Sequence, residues 1–166
     1  MTKLMTDESI KALIEMPKTV RNPRARWIEQ KGSIRRTFDA ESADGRFKFR
    51  VYQRQNLEEP ESFSCGLSLL DQDGEEVTLV RCNGPYHRHG NPLEGERLDY
   101  LSHVHFATER YMADGRKAEH FAIRCDAYAD LCGATRHLVH LCAIANLPMT
   151  VKIAGEMTQG VFDVEY

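Results

Sequence analysis

The chain has 166 residues, 42% of them hydrophobic and 28% charged, with a formal charge of −3. That is the length and composition of one ordinary globular domain, which excludes disordered and collagen-like chains. No apolar run approaches the roughly 20 residues of a membrane span, and the first eight residues lack the apolar core of a signal peptide. The five cysteines (Cys65, Cys82, Cys125, Cys132, Cys142) are odd in number and have no Cys-x-x-Cys spacing, which suits a reducing compartment. The expectation is a single domain over residues 1–166, cytoplasmic, with no membrane partner.

Thr6 followed by Asp7 and Glu8 reads as a helix N-cap with acids in the first turn. Ile10, Leu13 and Ile14 fall at i, i+3 and i+4, so an N-terminal helix is expected over 6–16, ended by Pro17. A β-rich region over 32–106 follows. Gly32–Asp39 and Arg46–Arg54 flank Asp44-Gly45, a hairpin signal. Phe63–Leu70 and Glu76–Cys82 flank a second turn at Asp71–Gly74. In the strand from Arg46, Phe47, Phe49 and Val51 share one face, and Lys48, Arg50, Tyr52 and Arg54 the other. Residues 83–98 carry three glycines, two prolines and two asparagines and read as a long loop; such loops are commonly functional. Tyr100–Phe106 reads as a fifth strand. Residues 107–146 are helix-permissive, the best helix being Asp130–Ala145 with Leu131, Ala134, Leu138 and Leu141 on one stripe. A C-terminal strand is expected within 150–165. The fold class is α+β: an antiparallel meander sheet of about five strands with helices packed on one face.

Charge is unevenly spread. Residues 17–54 hold eleven Lys or Arg against four Asp or Glu, a surplus of seven that leaves the remaining residues at about −10. Such a stretch marks either a polyanion-binding face or a charge-complementary fold.

The chemistry-bearing residues cluster between Asn83 and Tyr111, where His87-x-His89 and His103-x-His105 precede Glu109, Arg110 and Tyr111. On a strand, His103 and His105 project to the same face. Three roles compete. With Glu109 they resemble, over seven positions, the first metal motif of cupins, although no second motif follows; a divalent-metal shell is one reading. Metal-free acid–base chemistry is another: His103 and His105 as acid and base, Glu109 as alternative base, Arg110 and Tyr111 as phosphate contacts. In that reading Lys48, Arg50 and Arg54 hold an RNA backbone, and His87 and His89 lie at the substrate. The third role is an ordinary strand pair with Glu109–Arg110 as a local ion pair. Trp27 lies among Arg24, Arg26 and Lys31; it reads as a core anchor between helix and sheet before it reads as a base-stacking platform. His137 and His140 read as helix-surface residues. Phosphate-loop, dinucleotide-binding and nucleophile-elbow motifs are absent.

Arg26-Trp27, the segment 60–66 (Pro-Glu-Ser-Phe-Ser-Cys-Gly), Asn83–His87 and the His103-x-His105-x-Ala-Thr-Glu-Arg-Tyr111 segment together resemble a family of small uncharacterised bacterial proteins. The resemblance spans most of the chain and implies a stand-alone bacterial domain of no known activity. The leading functional expectation is a protein acting on RNA as a metal-independent, toxin-like endoribonuclease, with no cofactor. The alternatives are a non-catalytic module binding nucleic acid or an acidic protein partner, as in toxin–antitoxin or phage-defence systems, and a metal-dependent enzyme using the His-x-His pair.

Overall fold

A computed structural model of the protein describes residues 3–149. Helix α1 runs Asp7–Glu15, and the Thr6 side chain accepts from Ser9 N as its N-cap. It ends at Met16, before Pro17. Then come β1 (Lys18–Val20), β2 (Ile28–Gln30), β3 (Ser33–Ser42), β4 (Lys48–Asn56), β5 (Phe63–Leu70) and β6 (Glu76–Asn83). The second half holds β7 (Gly90–Asn91), β8 (Glu96–Arg97), β9 (His103–Phe106), α2 (Glu109–Ala113), β10 (Ala122–Arg124), α3 (Leu131–Leu141) and β11 (Ile144–Ala145).

The fold is α+β with a mostly antiparallel sheet. Its strands run β10-β9-β6-β5-β4-β3-β1-β11, with β2 also on β3 and β7–β8 a separate ribbon. Strands β3 to β6 form the expected meander, their turns at Asp44-Gly45 and Asp71–Gly74. The described residues give nine strands in this sheet, a correction to the expected five or so. The extra strands, β1, β2, β10 and β11, have two or three residues each, too short for a period-2 pattern to stand out. The stretch 107–146 is also less helical than its composition suggests. Only Glu109–Ala113 and Leu131–Leu141 are helical, with β10 between them, because pairing to β9 outweighs weak helix propensity. The strand expected within 150–165 lies outside the described residues.

One face of the sheet builds the core. Phe38, Ala40, Phe49, Val51, Cys65, Leu67, Cys82 and Val104 pack in one cluster with Ile10, Leu13 and Ile14 of α1 and Leu131, Ala134 and Leu138 of α3. Each Val, Leu, Ile or Phe among them contributes about 1.5–3 kcal/mol by leaving water. Trp27 is half-buried against this cluster, with the Arg36 guanidinium 4.6 Å from its ring. Lys18 is only 1% exposed. Its Nζ donates to the carbonyls of Ile14 (2.8 Å), Met16 (2.7 Å) and Cys142 (2.9 Å), so one ammonium closes the C-terminal ends of α1 and α3, where carbonyls lack helical partners.

Alternation along each strand sends the intervening residues to the opposite face. Across it, Arg35, Arg54, Ser64, Asn83 and His103 stand in one register row. Thr37, Tyr52, Gly66, Arg81 and His105 stand in the next. Gly66 is demanded by the Tyr52 ring, because a Cβ there would lie 2.7 Å from a ring carbon.

Candidate metal centre

Strands β6 and β9 are antiparallel neighbours, yet residues 84–102 intervene between them. This excursion starts at Gly84, where a Cβ would lie 2.2 Å from the Glu61 carbonyl oxygen, so only glycine lets the chain turn there. It then folds back as a ribbon: Tyr100 N donates to His87 O at 3.1 Å, Leu98 N to His89 O at 2.8 Å, and β7 pairs β8. Two of its side chains fasten the ribbon, one to β10 and one to α2. Asn91 is fully buried; its Nδ2 donates to Ala122 O at 2.7 Å, and its Oδ1 accepts from Ala122 N at 3.0 Å. Glu94 accepts from the Tyr111 hydroxyl at 2.5 Å and pairs with Arg110 at 2.6 Å.

Fastened this way, His87-x-His89 of the ribbon faces His103-x-His105 of β9. Ring centroids are 4.9 Å apart for His87 and His103, 5.2 Å for His89 and His103, 4.7 Å for His89 and His105, and 4.8 Å for His103 and His105. His120 joins at 5.4 Å from His89, its ring stacked on Tyr111. Five of the seven histidines therefore meet in one place.

The tautomers follow from the partners. His103 Nδ1 lies 2.7 Å from Leu101 O, and His105 Nδ1 lies 2.8 Å from Glu119 O. A carbonyl only accepts, so both Nδ1 atoms carry the proton and both Nε2 atoms carry a lone pair. Each Nε2 is buried and has no hydrogen-bond partner among the described residues. Ligand nitrogens of His87, His103 and His105 all lie within 4.8 Å of one another. Three nitrogens bound to one ion at about 2.1 Å sit roughly 3.3 Å apart, so the three rings need close by no more than about 1.5 Å to share an ion, and His87 is the exposed one of the three. A backbone carbonyl holding the far ring nitrogen is the usual outer support of a metal-binding histidine.

Electrostatics suit this role. Burial, opposed by the Leu101 carbonyl, pushes the His103 pKa down to about 4. Burial, then the nearby Arg81 charge, pushes His105 down to about 2. His87 and His89 are also lowered, chiefly by burial. All four imidazoles are thus neutral at pH 7, with little proton competition for their lone pairs.

Tyr111 borders the cluster through its stacking on His120; the other sequence candidates do not join the histidine rings. Glu109 caps the contact to α1: its N donates to Asp7 Oδ1 at 2.8 Å, and its carboxylate accepts from Asp7 N at 3.4 Å. Arg110 and Tyr111 hold Glu94, and Tyr111 is fully buried. Lys48 pairs with Glu41, which also takes Arg21, and Arg50 pairs with Glu76 at 2.9 Å. Arg54 donates to Ser33 Oγ at 3.0 Å. Of Lys48, Arg50 and Arg54, only Arg54 has no carboxylate partner among the described residues, and it stands in the His103 row. His137, on α3, has its Nε2 3.8 Å from Cys125 Sγ.

His120, Asn91, Glu94, Arg81 and Glu119 are the site residues that sequence reasoning missed. Glu119 is 8% exposed and has two functions. Its carbonyl orients His105, and its carboxylate lies 3.5 Å from Arg81.

A family model described as "Family of unknown function (DUF6978)" matches residues 5–144, a span holding all five clustered histidines. The chain belongs to this family. No curated protein and no solved structure matches it. Among the described residues of this DUF6978 chain, no helix is long and apolar enough to cross a membrane.

Proposed function

We propose that the protein is a metal-dependent enzyme whose centre is a divalent transition metal held by His87, His103 and His105, with His89 beside them. The observation that carries this reading is the pair of buried, partnerless Nε2 lone pairs on His103 and His105, each fixed by a carbonyl on Nδ1. Leaving such acceptors buried and unpaired costs about 1–3 kcal/mol each, a cost that a ligand on those atoms removes. Imidazole sets select zinc, iron, nickel or copper over magnesium and calcium. Three protein ligands with a fourth position open is the arrangement of catalytic zinc, which acidifies water or polarises an oxygen. The chain's own residues bind and orient: Leu101 and Glu119 hold the strand imidazoles, and Asn91 and Tyr111 hold the ribbon that brings His87 across.

The metal-free ribonuclease is the second reading, supported by Arg54 and Tyr52 on the same sheet face. It asks His103 and His105 to exchange protons near neutrality, and their burial and depressed pKa values weigh against that role.

The test is metal reconstitution. Stripped protein titrated with Co2+ should take one equivalent and develop visible d–d absorption, and zinc should displace it. His103→Ala and His105→Ala should each weaken binding more than 100-fold. A wild-type chain that takes up no transition metal, or one whose binding survives both substitutions, overturns the proposal.

A further inference from the structure

The sheet face beside the histidines carries an open depression of about 320 Å3. Arg35, Arg54 and Arg81 line it together with Ser64, Asn83 and Tyr52. The carboxylate in its lining, Glu76, is engaged by Arg50. Arg81 lies at the boundary, as the register partner of His105 on β9 and of Gly66 on β5. Among the described residues its one carboxylate contact is that at 3.5 Å to Glu119, and its buried Nε has no acceptor. Asn83, partner of His103 in the neighbouring row, has a buried Oδ1 with no donor among those residues.

The charge balance of the centre gives these orphans a meaning. Every candidate ligand is an imidazole, a side chain that carries no negative charge, so the protein supplies no anion to a divalent ion. Glu119, the nearby buried carboxylate, is matched by Arg81. An ion bound at the histidines therefore leaves about two positive charges uncompensated in a partly buried place, with two further guanidiniums along the groove. Uncompensated charge of that kind is costly away from water, and an exogenous anion relieves it. Guanidinium forks match tetrahedral oxyanions through paired N–H donors. The free Asn83 oxygen accepts from a hydroxyl of the same molecule.

We propose that the Arg35–Arg54–Arg81 groove is the phosphate subsite of the metal centre, and that the substrate is a small phosphate ester. Arg81 spans ion and phosphate, while Arg54 and Arg35 hold the phosphate from the far side. The volume suits a molecule of mononucleotide size. This inference rests on the metal reading above for the position of the reacting end, whereas the groove itself stands on the arginines.

Calorimetric titration of the full chain with inorganic phosphate and with adenosine monophosphate tests it, on stripped and on cobalt-loaded protein. Both probes are expected to bind, at least tenfold more tightly with cobalt present. Arg81→Gln and Arg54→Gln should each weaken binding tenfold or more, and Arg35→Gln, a substitution at an exposed position, should weaken it several-fold. Lys11→Gln, on α1 and outside the groove, should leave it unchanged, and Arg54→Gln should leave the cobalt spectrum unchanged. Cobalt-loaded protein that ignores both probes, or arginine variants that bind them like the wild type, overturns the phosphate subsite and leaves the metal centre standing. If no cobalt binds, the metal reading fails by itself. Phosphate affinity of stripped protein and its loss in Arg54→Gln and Arg35→Gln then decide the groove alone.

Discussion

His105 donates from Nδ1 to the backbone carbonyl of Glu119 at 2.8 Å, while the carboxylate of the same Glu119 faces Arg81. One residue thus fixes a ring by its main chain and a guanidinium by its side chain. The two roles separate on substitution. Glu119→Gln keeps the carbonyl, so cobalt stoichiometry stays at one per chain with affinity within tenfold of the wild type. The same variant removes the anion facing Arg81, so phosphate affinity rises about three- to tenfold. Cobalt and phosphate titrations of the one variant check both statements.

Asn91→Ala detaches the ribbon. It leaves Ala122 N and O buried without the partners that Asn91 provides, at a cost of about 2–3 kcal/mol. The melting temperature is expected to drop by several degrees. Metal affinity should fall about 10–100-fold, as it does when outer support is lost, although no ligand is changed. Hydrogen exchange should accelerate over residues 84–98 and stay slow in β3 to β6.

Tyr111→Phe removes the hydroxyl that reaches Glu94 and keeps the ring stacked on His120. A loss of about 1–2 kcal/mol is expected, with a smaller fall in metal affinity than for Asn91→Ala. Urea denaturation and cobalt titration distinguish the two latches.

Metal-free protein in EDTA should lose stability as the medium is acidified. The folded-state pKa values of His103 and His105 are about 4 and about 2, below the ordinary 6.5. Under pH 6.5 the unfolded chain takes up protons that the folded chain refuses, and stability falls by about 1.4 kcal/mol per pH unit for each imidazole. The contribution is complete above pH 6.5 and is lost between 6.5 and about 4 for His103, and on toward about 2 for His105. Urea midpoints from pH 7.5 to 5 read the slope, and His105→Leu should flatten it.

Lys18→Met tests the helix-end contact. Three carbonyls lose their donor, and the expected cost is about 3 kcal/mol, read as a fall in melting temperature with metal stoichiometry retained.

Long regular elements are legible in the amino-acid sequence alone. The Thr6 cap, the stop before Pro17, both hairpin turns and the Phe49/Val51 face follow from local rules, because each is decided within a few residues. The pairing of His103 with His105 is legible for the same reason, since strand period alone sets it. Which nitrogen each ring leaves bare is not, because that depends on Leu101 and on Glu119, fourteen residues beyond His105. Nor is the meeting of His87 and His89 with them. It requires Asn91 to pair with the backbone of Ala122, 31 residues away, and nothing in a lone asparagine announces that. Arg110 and Tyr111 read as substrate contacts because their chemistry fits phosphate; partners at Glu94 give them a bracing role.

Adjacent antiparallel strands can be joined by about two residues, so the path from β6 to β9 does not need residues 84–102 for the sheet to exist. The sheet and the histidine cluster are therefore separable in this chain. Exchanging the excursion for a tight Asn-Gly turn should yield a sheet that still folds, with two histidines on β9 and no counterpart across from them.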